Sequence, residues 1–200
     1  MSNDSSTGGP IAPVPTSAAP LEGKALNDFL NELIAGITGL DGTMVRPSFQ
    51  TVPANVPTEG EAWCAFRIAS RPSDTFPFVG HNPAGDGADI LKRNEELRIV
   101  CSFFDLGTNS LASTNAALLR DGLAIAQNRE KLTRAGMGLV SVGEPLDVPV
   151  IVKSRWMYRI DMEVVIRRLV ERSYPVLNVL TADITLKSDT GITIQIPVTE

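Results

Sequence analysis

The chain has one histidine, His81, and two cysteines, Cys64 and Cys101, in 200 residues. A single imidazole excludes a His-rich metal site, and a Ser/His/Asp arrangement would have to use that one residue with no G-x-S-x-G element beside it. Two cysteines cannot build the disulfide framework of a small secreted domain; set in separate predicted strands, they read as buried free thiols. The sequence lacks any run of about 18 apolar residues, which argues against a helical membrane span. Its first 20 residues lack the basic start and continuous apolar stretch of a secretory signal, so synthesis and retention in a cytoplasm are expected. A basic surplus is missing too: 18 Lys and Arg stand against 23 Asp and Glu, a net charge of -5. That sign argues against binding nucleic acid by neutralising phosphates. The glycine pairs at 85–87 and 136–138 never extend into a phosphate-binding loop and read as turns. Asp86, Asp89 and Asn82 miss the calcium-loop spacing. No cofactor or metal is expected.

The most informative stretch is RWMYRIDMEVVIR at 155–167. Trp156, Tyr158, Ile160, Met162, Val164 and Ile166 alternate with mostly charged residues, a period of two that predicts a long strand with one face in a core. The other face carries Arg155, Arg159, Asp161, Glu163 and Arg167. Both signs of charge there are satisfied either by water or by a complementary subunit, and these five residues are the candidate subunit interface. Trp63, Trp156 and Tyr158 could also form a stacking platform for single-stranded nucleic acid; core packing is the favoured reading, because their strands need core aromatics and few lysines surround them. The Arg167-Arg168 doublet disturbs the alternation and predicts a bulge or bend.

Residues 1–21 form an expected flexible arm rich in Pro, Ser and Ala, since Pro10, Pro13, Pro15 and Pro20 break helices and little apolar surface offsets the entropy of ordering. Residues 22–200 form the domain. Leu26, Phe29, Leu30, Leu33, Ile34 and Ile37 recur at three and four, the mark of a helix that Gly39 ends. A strand follows near 63–69, with Cys64, Phe66 and Ile68 on one side. The stretch from Pro72 to Arg93 reads as a long loop carrying FPFV, His81 and NPAGDG, of the kind used for function or at an interface. Leu97, Ile99, Cys101 and Phe103 mark a second central strand. A second helix is predicted over 111–135, with Leu111, Leu118, Ile125 and Leu132 seven apart and Leu119, Gly122 and Ala126 widening the stripe. A short strand at 138–143 precedes the long one, and alternating apolar residues about the turn at 188–191 predict a C-terminal hairpin at about 180–199. The fold class is α/β (α+β): a mixed, mostly antiparallel sheet with two helices on one face.

This order of elements, together with SRWMYRIDMEVVIRRLVERSYPVLNVL, resembles the neck and tail terminator proteins of long-tailed bacteriophages over about residues 22–200. The resemblance implies a structural subunit, not an enzyme. Such a subunit assembles in the host cytoplasm into a homo-oligomeric ring, usually a hexamer, at the head-proximal end of the tail. There it ends the tail tube, contacts the tail tube protein and the head-tail connector proteins, and lets genome DNA pass without specific binding. A small cytoplasmic enzyme, or a ligand-binding adaptor, with its site in the 72–93 loop is the alternative.

Overall fold

The computed structural model describes residues 3–15, 19–49, 61–105, 110–152, 155–179, 181–187 and 193–199; the side chains of 110, 152, 155, 181–187 and 193–199 lie outside the description. The chain divides into two compact units, the larger comprising 20–77 and 93–170 and the smaller 1–19, 78–92 and 171–200.

In the larger unit, helix α1 (Gly23–Thr38) buries Leu26, Leu30, Leu33 and Ile34. It stops at Gly39, whose φ of 76° is a left-handed conformation that glycine adopts without strain, and whose N–H donates to Ala35 O. Strand β1 (Val45–Pro47) lies parallel to β2 (Ala62–Ser70), and β2 pairs antiparallel with β4 (Ala88–Asp105). The sheet runs β1-β2-β4-β8-β5, where β5 is Met137–Val142 and β8 is Arg155–Tyr174. Two short strands, β6 (Leu146–Asp147) and β7 (Val150–Val152), also pair antiparallel with β8. The fold is therefore α+β, with a mixed and mostly antiparallel sheet.

Alternation places Cys64 and Phe66 of β2, Leu97, Ile99, Cys101 and Phe103 of β4, and Ile160, Met162, Val164 and Ile166 of β8 in one core with the buried helix residues. Each fully buried Leu, Ile or Phe there stabilises the fold by about 1.5–3 kcal/mol. Burial pushes the Cys64 thiol well above its ordinary range, which leaves it an inert core residue. The bulge expected at Arg167-Arg168 lies elsewhere along the β5–β8 ladder. Met137 and Gly138 pair with Arg168 and Arg167 in regular register, and the shift falls between Leu139 and Ser141 of β5.

The helix expected over 111–135 is two helices, α2 (Ser110–Ala124) and α3 (Ala126–Arg134), separated by Ile125 in extended conformation. The Gly122 carbonyl accepts from the Ile125 N–H at 3.1 Å and from Asn128 Nδ2 at 2.9 Å, bonds that replace helical continuation. The buried face is Ala112, Ala116, Leu119 and Leu123, so the heptad positions Leu111, Leu118 and Ile125 lie outside it and are exposed. Lys131 at the end of α3 pairs with Glu32 of α1 and lies over the Phe29 ring.

In the smaller unit, the stretch expected as a long loop is largely a β-hairpin. Strand β3 (Phe78–Asn82) pairs antiparallel with the start of β4, and His81 stands opposite Asp89. The C-terminal hairpin is present as β9 (Thr181–Lys187) and β10 (Thr193–Thr199), with Ile194 opposite Leu186 and Ile196 opposite Ile184. Its turn at 188–191 lies outside the described residues. Ser5 N donates to Pro175 O, Leu177 N to Ser5 Oγ and Val14 N to Ser173 O, so the N-terminal segment bonds to residues 173–177.

Gly122 supplies a test of the helix packing. A Cβ built there collides with Cγ2 of Ile37, so the approach of α2 to α1 requires glycine. Gly122→Ala is expected to destabilise the protein by about 1–3 kcal/mol despite the higher helix propensity of alanine, read as a lower denaturant midpoint with unchanged m-value.

Candidate functional site

The five candidate interface residues all belong to β8. Arg159 and Asp161, two apart on one face, bind each other through two hydrogen bonds of 2.7 Å, with Nε on Oδ1 and Nη2 on Oδ2. The Arg159 guanidinium also sits 5.7 Å from the centre of the Phe104 ring. Arg167 reaches Glu96 of β4 at 2.8 Å. Glu163 is exposed, and its backbone carbonyl accepts from Gly143 N at 2.7 Å. The Arg155 side chain lies outside the described residues. The structure thus brings Arg159 and Asp161 together, ties Arg167 to another strand, and leaves Glu163 facing solvent. The Arg167–Glu96 pair, whose arginine is exposed, contributes about 0–1 kcal/mol to stability.

The same face carries a second, smaller apolar cluster. Ala65, Phe104 and Met157 are buried together, with Trp63 and Val150 packed against them and the Trp63 and Phe104 rings stacked at 4.1 Å. Trp63 therefore packs as expected, but Trp156 and Tyr158 do not: they are 63% and 37% exposed. Ile160 is the member of the alternation nearest them that belongs to the core shared with the helices. Trp156 and Tyr158 share its parity but lie beyond that cover, on the ribbon of β7 and β8. Ile151, also exposed, stands opposite Trp156 in the ladder. An aromatic and an aliphatic side chain paired across two strands and left to water form an apolar surface patch that Tyr158 extends. A second exposed row, Leu111 and Leu118 of α2 with Ile125 just past its end, runs beside a shallow groove lined by Ser113, Thr114, Ala117, Leu118 and Asp121.

Arg168 was invisible as a site residue because its position continues the core alternation, where a charge is unexpected. It is 3% exposed and fully engaged: Nε donates to Glu95 at 2.6 Å, Nη2 to Glu22 at 2.7 Å and Nη1 to Leu21 O at 2.5 Å. Arg71 binds the other oxygen of Glu22 at 2.8 Å. Burial pushes the Glu22 carboxyl up, but the Arg71 hydrogen bond and the Arg168 charge together outweigh it and hold the group below its ordinary range. The cluster ties the residues preceding α1 to β4 and β8.

A cleft of about 380 Å³ lined by Pro72, Ser73, Asp74, Asn94, Glu96 and Arg167 adjoins this region. Its carboxylates are already engaged: Asp74 accepts from Asn94 N and Nδ2 at 2.9 and 3.1 Å, and Glu96 pairs with Arg167. His81 belongs to the smaller unit, where its ring nitrogens face Asp89 and Asn178 and no hydroxyl. Among the described residues, no three His, Cys, Asp or Glu side chains converge as a metal site, and no helix is long and apolar enough to cross a membrane.

The carboxylates of the cleft are held in hydrogen bonds and ion pairs, and apolar side chains on β7, β8 and α2 face water. Residues 24–190 match the family model described as phage neck terminator protein, and the chain belongs to that family. No curated protein matches the sequence. The family places the chain among structural proteins of the phage neck, a component of the virion that works with other neck and tail proteins.

Arg168→Ala is expected to cost about 3–5 kcal/mol, because it leaves the largely buried Glu95 and the Leu21 carbonyl without their cation, while Glu22 keeps only Arg71. Since the Glu22 carboxyl is held low in the folded state, its stabilising contribution is present above its ordinary value near 4.5 and is lost as pH falls through the folded value. Urea denaturation from about pH 7 to about pH 3 is expected to show a shallower loss for Arg168→Ala than for the parent protein.

Proposed function

We propose that this protein is the subunit of a homo-oligomeric ring, a hexamer, at the head-proximal end of the phage tail, where it ends the tail tube and joins it to the head connector. The observation that carries this reading is the exposed Ile151–Trp156 pair with Tyr158 on the β7–β8 ribbon. Covering apolar area yields about 25 cal/mol per Å², so a patch of this kind gains by meeting another surface. The row of Leu111, Leu118 and Ile125 is a second such surface on the same unit. Two different patches on one subunit suit a head-to-tail contact, which closes into a ring when the rotation between neighbours divides a full turn.

Arg155, Arg159, Asp161, Glu163 and Arg167 frame this interface in the proposal. Glu163 is exposed and Arg167 more than half exposed, so both are free to face a neighbour, while the Arg159–Asp161 pair presents a fixed, nearly neutral surface. A negative charge of -5 on every copy accumulates around the ring, and an acidic channel repels phosphates so that DNA slides through without binding. The tail tube protein and the connector proteins are the other partners, and residues 1–21 are proposed as an arm beside the 22–200 domain, anchored to it where Ser5 and Val14 meet residues 173–177.

Trp156→Glu tests this directly. The side chain is exposed, so the isolated subunit is expected to keep its stability within about 0.5 kcal/mol. Phage carrying the substitution are expected to show unjoined heads or tails of uncontrolled length by electron microscopy, as are phage carrying Arg159→Glu together with Arg167→Glu. Normal virions from both would overturn the reading.

A further inference from the structure

The geometry around the only histidine assigns it a state and a task. His81 Nδ1 lies 2.8 Å from Asp89 Oδ1, and Nε2 lies 2.9 Å from Asn178 Oδ1. The orientation of the Asn178 amide is set independently, because its Nδ2 donates to Pro83 O at 3.0 Å and to Gly85 O at 3.1 Å. Its oxygen must therefore face His81, and both ring nitrogens face acceptors. Only the imidazolium, which carries two N–H donors, satisfies both. Flipping the amide to serve a neutral ring would aim its oxygen at two carbonyl oxygens, so no arrangement with a neutral ring keeps all four contacts favourable.

Two further features show that the turn is built to receive Asn178. The Asn178 N–H donates to Asp86 O at 2.8 Å, and Gly87, at φ 94°, leaves the space: a Cβ there would stand 2.6 Å from Asn178 Oδ1 and 2.7 Å from its backbone nitrogen. Asn178 lies three residues before β9, so what holds it also holds the lead into the C-terminal hairpin.

We propose that His81 is a proton-dependent latch: as the imidazolium it clasps Asn178 onto the turn between β3 and β4, and loss of its proton removes one of the four bonds that hold Asn178, loosening the lead into the C-terminal hairpin. Among the described residues, these charged groups lie about it. Asp89 comes from β4 and Asp86 from the turn; Lys92, further along β4, is paired with Glu171, and Asp4 of the N-terminal segment is bound by Ser6. Residues 175–179 contribute no ionisable side chain. The Asp89 and Asn178 hydrogen bonds raise the His81 pKa from its ordinary value. The latch therefore binds the protonated form. Its stabilisation is complete below the ordinary value of about 6.5 and disappears as pH rises through the higher folded value.

Because the chain has one histidine, its imidazole resonances need no assignment. In a titration of the full chain from about pH 5.5 to about pH 8.5, both ring nitrogens are expected to carry protons below the transition, which is expected above the ordinary range. Hydrogen exchange of the Asn178 amide, corrected for its intrinsic pH dependence, is expected to quicken about tenfold across the same transition, the factor that one charge-assisted hydrogen bond carries. Asp89→Asn is expected to move both transitions to lower pH together, His81→Gln to abolish the pH dependence, and Asn178→Ala to leave residues 176–179 fast at every pH. A His81 transition at or below the ordinary value overturns the latch. So does Asn178 exchange that stays flat through the titration, or that fails to move with it in Asp89→Asn. None of these readouts involves ring assembly, so the latch and the proposed ring stand or fall separately.

Discussion

The larger unit depends on one face of β8. Ile160, Met162, Val164 and Ile166 are packed in the core shared with the helices, and the next residue of that parity, Arg168, remains buried because three acceptors surround it. The apolar run and the cation do different work. The run supplies burial, which is non-directional and would tolerate a shifted α1. The guanidinium accepts one geometry, with Glu95 on β4 and with Leu21 and Glu22 just before α1, and so places the helix as well as holding it.

What the core takes up also determines what the surface keeps. Helix α2 turns Ala112, Ala116, Leu119 and Leu123 inward and approaches α1 closely at Gly122, which leaves Leu111, Leu118 and Ile125 outside. On β8 the reverse face buries Met157, against Phe104 and Ala65, and Val165, while Trp156 and Tyr158 on the core parity extend past the helices. Apolar residues left exposed in this way, on secondary structure and in rows, are the surface on which the proposed ring contacts rest.

Among its described side chains, the smaller unit is held by polar contacts. Asn178 makes four hydrogen bonds to the turn and to His81, Ser5 and Val14 bond to residues 173–177, and Lys92 meets Glu171. Hydrogen bonds and exposed ion pairs are individually weak and respond to protonation, whereas a buried apolar core does not.

Much of the fold was legible in the residues: α1 and its glycine stop, the central strands with Cys64, Phe66 and Leu97 to Phe103 inward, the antiparallel C-terminal hairpin, and the family resemblance that the match over 24–190 supports. Periodicity encodes which side chains share a face, and that is a local property of the backbone. It does not encode how far along a strand or helix the cover extends. Hence Trp156 and Tyr158 carried the core pattern but lie outside, and the heptad leucines of α2 missed the buried stripe by one position. The hairpin at 78–92 read as a loop because its glycines and prolines hid a short strand that only pairing with β4 stabilises. Arg168 read as a break in the pattern because a buried charge makes sense only beside partners 73 and 146 residues away. Local sequence determined the elements and their faces; long-range packing alone decided which faces were covered and which charges were paired.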